Sequence, residues 1–318
     1  MACRIHPRTD ADFVAAELRN VAHWATDAGM ARPDLKGALI RPIVALSGWR
    51  SISAETPPVE FWYGAMAVQL AHEASLLHDD VIDQSARRRG VPTVAAARGT
   101  AAALVQGDHV LTTAYRYAAR TRSLTFIELF AESVERTVAG EVAQARATGR
   151  VLDFGEYSSI VRGKSGALLG CALALAPSIV QPHRAEAFYR IGCSVGLVYQ
   201  MLDDLLDLCP HADTGKPALG DYTQRHWTWP LQQLGIDNFS FDAAALLSAM
   251  HDETRFGTSP AQRCLARYNE EIDAVAFEMQ REVNAAPALE SLLDQWRERA
   301  RGAVQLEENA IRGEGVRV

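Results

Sequence analysis

Apolar residues recur at helical spacing from one end of the chain to the other, and alternating strand patterns bounded by Asn-Gly or Asp-Gly turns are missing. The spacing predicts helices over Asp10–Ala28, Leu39–Gly48, Val59–Asp83, Thr93–Arg120, Ser123–Thr148, Phe154–Ala176, Arg184–Leu208, Asp242–Ser248, Gln262–Ala285 and Ala288–Ala310. Breaks fall at Pro33, Pro57-Pro58, Gly90-Val91-Pro92, Gly149, Pro177, Pro182, Pro210, Gly215-Lys216-Pro217 and Pro287. A proline inside a helix forfeits a backbone hydrogen bond, so these residues read as punctuation. With no internal repeat and no linker in the pattern, the expectation is an all-α fold in a single domain, residues 1–318. The least regular stretch is Pro210–Phe241, and long irregular segments of compact domains are often functional.

The 318 residues are 48% hydrophobic and 22% charged, a globular composition, with a net charge of −7. An acidic chain without a Lys/Arg block is a poor general binder of nucleic acid or anionic membranes. Its basic charge is almost all Arg, with Lys only at Lys36, Lys164 and Lys216. The longest apolar stretch, Gly166–Val180, is short for a membrane span and contains Pro177, so it reads as a buried helix. Met1–Asp10 has no apolar core of a secretory signal. Cys3, Cys171, Cys193, Cys209 and Cys264 are odd in number and scattered, the pattern of reduced core thiols. Together these features predict a cytoplasmic protein without a transmembrane segment.

Two acidic clusters change the picture. His78-Asp79-Asp80-Val81-Ile82-Asp83 ends an otherwise largely apolar helix, where Asp79 and Asp83 lie about 40° apart and Asp80 falls within the same arc. His72 and Ser75 share that face. Gln200-Met201-Leu202-Asp203-Asp204-Leu205-Leu206-Asp207 repeats the DDxxD spacing on a second apolar helix. One such cluster is as readily a solvated helix end as a site. Two on hydrophobic helices point to a shared cation, because like charges packed together repel unless something neutralises them. Hard carboxylate oxygens suit Mg²⁺, and Mg²⁺ is commonly shared with a substrate phosphate. For Gly192 and Gly196, beside the second cluster, close helix packing is preferred over clearing room for a ligand.

A diphosphate also needs cations from the protein. Arg87-Arg88-Arg89-Gly90 follows the first cluster, and Lys164 and Lys216 sit beside small residues in Gly163-Lys164-Ser165 and Gly215-Lys216-Pro217. Each alone is as well explained by an exposed surface; together with the acidic pairs they favour anion binding.

The stretch LAHEASLLHDDVIDQSARRRGVPT, Leu70–Thr93, closely resembles the first aspartate-rich region of the trans-isoprenyl diphosphate synthases, the polyprenyl synthetase family. YQMLDDLLDL, Tyr199–Leu208, is similar to their second aspartate-rich motif. Gly107-Asp108, Gly140-Glu141, Lys164-Ser165, Gly215-Lys216 and Asp221 follow in the family's order. The resemblance implies an isoprenoid-synthase-type helical bundle with a deep central cleft, usually a homodimer. It implies that Asp79, Asp80, Asp83, Asp203, Asp204 and Asp207 hold Mg²⁺ ions chelating an allylic prenyl diphosphate. Arg88, Lys164 and Lys216 would hold the same diphosphate, and Gln200 would line the pocket. Arg41, His72 and Arg89 match positions that bind the acceptor, isopentenyl diphosphate (IPP). The implied activity is trans-prenyl transfer, with no aromatic residue at Ala74 or Ser75 to stop chain growth short of C20.

Three positions depart from the family pattern, and the first two bear on the acceptor. Ala38 stands where the family's acceptor-binding Lys is expected, with Lys36 two residues away. The family's Gly-Lys-x-Thr-x-Pro reads Arg225-His226-Trp227-Thr228-Trp229-Pro230, and the Thr after the mid-chain Lys is Ser165. The same ionising machinery would also serve cyclisation, as in class I terpene synthases, or transfer to a non-IPP acceptor. A non-catalytic regulatory subunit is the third reading, against which two intact DDxxD motifs argue. Trp227 and Trp229 have π faces that suit a carbocation, although packing is their preferred use.

Overall fold

The structure, a computed structural model, describes residues 40–88, 90–210, 218–242, 245–246, 259–283 and 287–311. In chain order its helices are α1 (Ile40–Arg50), α2 (Val59–Ile82), α3 (Val94–Arg98), α4 (Thr100–Arg120), α5 (Leu124–Ala147), α6 (Phe154–Val161), α7 (Ala167–Val180), α8 (Ala185–Asp207), α9 (Gly220–Thr223), α10 (Trp229–Gln233), α11 (Pro260–Val283) and α12 (Pro287–Ile311). A π turn, Arg162–Gly166, joins α6 to α7, and a 3₁₀ turn, Pro182–Arg184, leads into α8. The fold class is all-α. Among the described residues the strands are β1 (Arg87–Arg88) and β2 (Val91–Pro92), an antiparallel pair with Arg87 opposite Pro92. The expected helix Asp10–Ala28 and most of Asp242–Ser248 lie outside the described residues.

Two compact units divide the chain, one formed by residues up to 134 with 168–192, the other by 135–167 with 193 onward. In the first unit α2 is apolar around most of its circumference, as a helix enclosed by others must be, and buries Phe61, Met66, Val68 and Leu70. Gly64 lets α2 close on α7: a Cβ there would meet Leu175 Cδ1 at 2.2 Å. Pro177 does not end its helix as the sequence pattern predicts; it lies inside α7. Its missing N–H leaves the Leu173 carbonyl without the usual donor four residues on. That oxygen faces Gly48 of α1, where a Cβ would lie 2.4 Å away, so the proline's defect is covered by a close helix crossing.

In the second unit Trp229 is fully buried and donates Nε1–H to the Met201 carbonyl at 3.0 Å, which pins α10 to α8. Trp227 packs edge-on to Phe239. Both indoles are therefore packing residues here. Tyr268, Ile272, Val275 and Met279 form the buried face of α11, and Trp296 of α12 meets the Tyr199 ring at 5.2 Å.

The expected helix Thr93–Arg120 is broken at Gly99, whose φ of +90° separates α3 from α4. The expected helix from Phe154 runs on to Val180 through the π turn. That longer stretch is apolar and long enough to cross a membrane by length and composition, unlike Gly166–Val180 alone, but most of it is buried in the way of a core helix. Cys171, Cys193, Cys209 and Cys264 are buried and form no disulfide, as their scatter predicts.

Candidate active site

The first acidic turn closes α2. Asp83 is its cap residue, with its N–H bonded to the Asp79 carbonyl. Gln84 then turns left-handed (φ +51°), which lets Ser85 N–H reach back to the Asp80 carbonyl at 3.0 Å. The chain returns through the β1–β2 hairpin around Gly90 (φ +81°). Thr93 locks the loop: its hydroxyl donates to the Ser85 carbonyl at 2.7 Å and accepts Ala96 N–H at 3.1 Å, capping α3. This closure brings Arg88 back over the helix end, where Nε donates to Asp80 Oδ1 at 2.9 Å. Asp80 is buried, Asp79 half-buried and Asp83 exposed. Burial raises the Asp80 pKa above the ordinary carboxylate value, Arg88 opposes the rise by its charge and hydrogen bond, and Asp83 adds to it.

The Gly107-Asp108 pair finds its reason here. A Cβ at Gly107 would lie 2.2 Å from His78 Nε2, so only glycine admits the imidazole against α4. The ring then stands 3.4 Å from both Asp108 Oδ1 and the Leu104 carbonyl. Arg41 is buried on α1 and His72 half-buried on α2 in the same unit.

The second acidic turn ends α8 in the other unit, and its three carboxylates differ in use. Asp203 is exposed. Asp204 is buried; Tyr157 donates its hydroxyl to Oδ2 at 2.6 Å, and Gln200 Nε2 donates to Oδ1 at 2.9 Å. Ser165 Oγ donates in turn to Gln200 Oε1 at 2.8 Å. Asp207 accepts Gly220 N–H at 3.1 Å and Asp221 N–H at 3.2 Å, capping the first turn of α9. Burial pushes the Asp204 pKa well above the ordinary value, Asp221 and Asp203 push it further, and the bonds from Gln200 and Tyr157 hold it back.

Lys164 is placed by the π turn. A Cβ at Gly140 would lie 2.3 Å from Lys164 N, so glycine lets the turn's backbone rest on α5. The neighbouring Glu141 carboxylate then meets Lys164 Nζ at 2.8 Å. Gly196 meets Gly166 as closely, with a Cβ-to-Cα distance of 2.4 Å, and Gly192 meets Gly170 at 2.6 Å. Both glycines therefore serve close packing, the preferred sequence reading.

A family model described as Polyprenyl synthetase matches residues 23–255. The chain belongs to that family. It is 30% identical over 204 residues to Solanesyl diphosphate synthase 1, chloroplastic, of Arabidopsis thaliana, covering 63% of this chain and 49% of that protein. It is 31% identical over 219 residues to a (2E,6E)-farnesyl diphosphate synthase of Mycobacterium tuberculosis, covering 65% and 59%. The chain thus spans only about half to three-fifths of the length of these curated relatives. A crystal structure of a polyprenyl synthase from Caulobacter crescentus, complexed with calcium and isoprenyl diphosphate, matches 93% of this chain and 94% of its own, with a TM-score of 0.70 and 23% identity. That likeness carries the fold.

For a polyprenyl synthetase the arrangement is partly assembled. It joins Asp80 to Arg88, and Asp204 to Gln200. Lys216, Arg89, Lys36 and Ala38 lie outside the described residues. Among the described residues no three His, Cys, Asp or Glu side chains are gathered closely enough to hold a metal ion. The donor chemistry nonetheless fits a hard divalent cation: all-oxygen, anionic, with Asp79, Asp83 and Asp203 not fully buried. Sequence reasoning missed Tyr157, Glu141 as the partner of Lys164, and Thr93 as the lock on the Arg-rich loop. Gly140-Glu141 signalled the second; an aromatic at a core position signals nothing about its hydroxyl.

Proposed function

We propose that this protein is a Mg²⁺-dependent trans-prenyltransferase that condenses an allylic prenyl diphosphate with IPP to a product of C20 or longer. The observation that carries the reading is the repeated acidic turn. Each ends an apolar helix, and each anchors at least one aspartate to protein donors and leaves another exposed. Asp79, Asp80, Asp83, Asp203, Asp204 and Asp207 are the proposed metal ligands, directly or by holding their neighbours. Bound Mg²⁺ would supply Lewis-acid stabilisation of the charge that gathers on the departing pyrophosphate. Arg88, Lys164 and Lys216 would bind the same oxygens, where a cation stabilises charge that grows as the C–O bond breaks. Gln200 orients Asp204. Apolar walls would be needed to keep water from the allylic cation. Arg41, His72 and Arg89 would bind the IPP diphosphate. The Caulobacter structure, bound to calcium and isoprenyl diphosphate, supports a divalent cation beside such a substrate.

The relatives named for C15 and for longer products leave chain length to this chain's own residues. On α2, Leu70, Ala71 and Ala74 are buried and Ser75 is half-buried, with no ring one turn above Asp79. We also take residues 1–318 as one isoprenoid-synthase-type domain, acting in the cytoplasm as a homodimer. Four buried cysteines that form no disulfide support a reducing compartment. On α4, Leu104 and Tyr115 are exposed on one helix face, which supports a subunit interface.

A second reading, transfer to an acceptor other than IPP or cyclisation, is favoured by Ala38 and by His226 in place of family lysines. Incubating the protein with Mg²⁺ and dimethylallyl, geranyl, farnesyl or geranylgeranyl diphosphate, with and without IPP, separates the two. Elongated products only with IPP are expected. Pyrophosphate release that ignores IPP selects cyclisation, and no turnover of any allylic diphosphate with or without IPP defeats the first reading and leaves only transfer to another acceptor.

A further inference from the structure

Tyr157 has no part in the chemistry above, yet it makes a short bond to a buried aspartate of the proposed site. Its backbone is fixed by the start of α6, where Asp153 and Glu156 form a reciprocal capping box. The residue is 4% exposed. The hydroxyl reaches Asp204 Oδ2 at 2.6 Å, a charge-assisted distance. From Asp204 the bonds continue through Gln200 to Ser165, the residue after Lys164. The relay therefore leaves the 154–166 segment at Tyr157, crosses one turn of α8, and re-enters the same segment inside the π turn. A π turn carries an extra residue per hydrogen-bonded ring and is the least self-sufficient helical form. Here α8 holds it at both ends, because Arg162 Nη1 donates to Ser194 Oγ at 2.7 Å and Ser165 Oγ to Gln200 Oε1.

We infer that Tyr157 is a positioning residue: through Asp204 it sets how the adjacent Asp203 is presented, and through Gln200 and Ser165 it sets where Lys164 stands. The inference rests on the reading of these residues as a metal- and diphosphate-binding site. A carboxylate whose two oxygens each accept a bond has one orientation. Asp203 and Asp204 share a helical turn, so tying Asp204 to Tyr157 fixes the rotation of that turn of α8 and with it the direction in which the Asp203 Cα–Cβ bond leaves the helix. Partners that orient metal-binding side chains typically influence affinity by about ten- to a hundred-fold when removed.

The test uses Tyr157→Phe, which keeps the ring and deletes the hydroxyl. Two quantities are read: the Mg²⁺ concentration for half-maximal turnover, and calorimetric binding of inorganic pyrophosphate in MgCl2. The half-saturating Mg²⁺ is expected to rise about ten- to a hundred-fold, with pyrophosphate binding weakened and kcat at saturating Mg²⁺ falling less. A general loss of packing would lower kcat and leave the metal requirement where it was. Unchanged metal dependence and pyrophosphate binding overturn the relay while leaving the proposed function standing. Failure of the unaltered protein to bind pyrophosphate with Mg²⁺ overturns both. If Tyr157→Phe shows no cooperative urea transition, Ser165→Ala, at the other end of the relay, is measured instead and judged by the same outcomes.

Discussion

Asp204 is buried for a purpose that works against the stability of the folded chain. Taking its carboxylate out of water raises its pKa well above the unfolded value, and two donors only partly offset this. An acid with a raised folded-state pKa binds its proton more tightly when folded. Its favourable contribution is complete below the unfolded value of about 3.9 and is lost as pH rises through the folded value. Asp204→Asn removes that loss and retains an oxygen for the Tyr157 hydroxyl. In EDTA, urea unfolding should show the variant close to the unaltered protein near about pH 4, with an advantage that grows toward neutrality. A constant difference across that range would mean that the charge is not the cause. Turnover should fall sharply in the same variant, the usual relation between a strained site and stability.

At the scale of elements, the ends of helices decide more than their middles. α2, α9 and α10 each finish in the same paired arrangement, in which the N–H of the second residue past the cap bonds the carbonyl five residues back. Ser85 N–H meets the Asp80 carbonyl, His226 N–H that of Asp221, and Ile236 N–H that of Leu231. The residue between must turn left-handed. At α10 it is Gly235 (φ +68°), but at α2 it is Gln84 (φ +51°) and at α9 it is Arg225 (φ +61°). A side chain there costs about 1 kcal/mol. Gln84→Gly should therefore raise stability by about that amount, measured as a shift in urea midpoint at constant slope. Arg225→Gly should gain less, because Arg225 also lies over the Phe239 ring at 5.7 Å. In the proposed elongation, the same scale governs product length. Each turn of α2 advances about 5.4 Å, close to one isoprene unit. Ser75→Phe should shorten the products, read by chromatography after dephosphorylation. It is the better probe than Ala74→Phe, since Ala74 is fully buried and a ring there would overpack the core.

For the whole molecule, helical spacing alone predicts the all-α class and most helix boundaries to within a few residues, because apolar faces must be buried wherever helices meet. Both DDxxD motifs are legible for the same reason: charge on an apolar helix is conspicuous. What escapes is whatever depends on a distant partner or a single dihedral. The hydroxyl of Tyr157 answers to a carboxylate 47 positions away. The break at Gly99 and the left-handed Arg225 each turn on one φ angle. Pro177 looks like an end and is not, since Gly48 covers the carbonyl it frees. Assembly is argued at this scale as well. In the proposed homodimer, Leu104→Glu on the exposed face of α4 should shift sedimentation toward monomer, and an unchanged profile would place the interface elsewhere.

The glycine contacts at Gly170–Gly192 and Gly166–Gly196 have a mechanical consequence. Where backbone meets backbone there are no rotamers to relax and little void to lose, so the spacing is stiff rather than merely tight. Under hydrostatic pressure, folded proteins yield first where internal space remains. Amide signals around these glycines should then move less with pressure than those of the loop between β1 and α3, making the seams fixed reference lines within each unit.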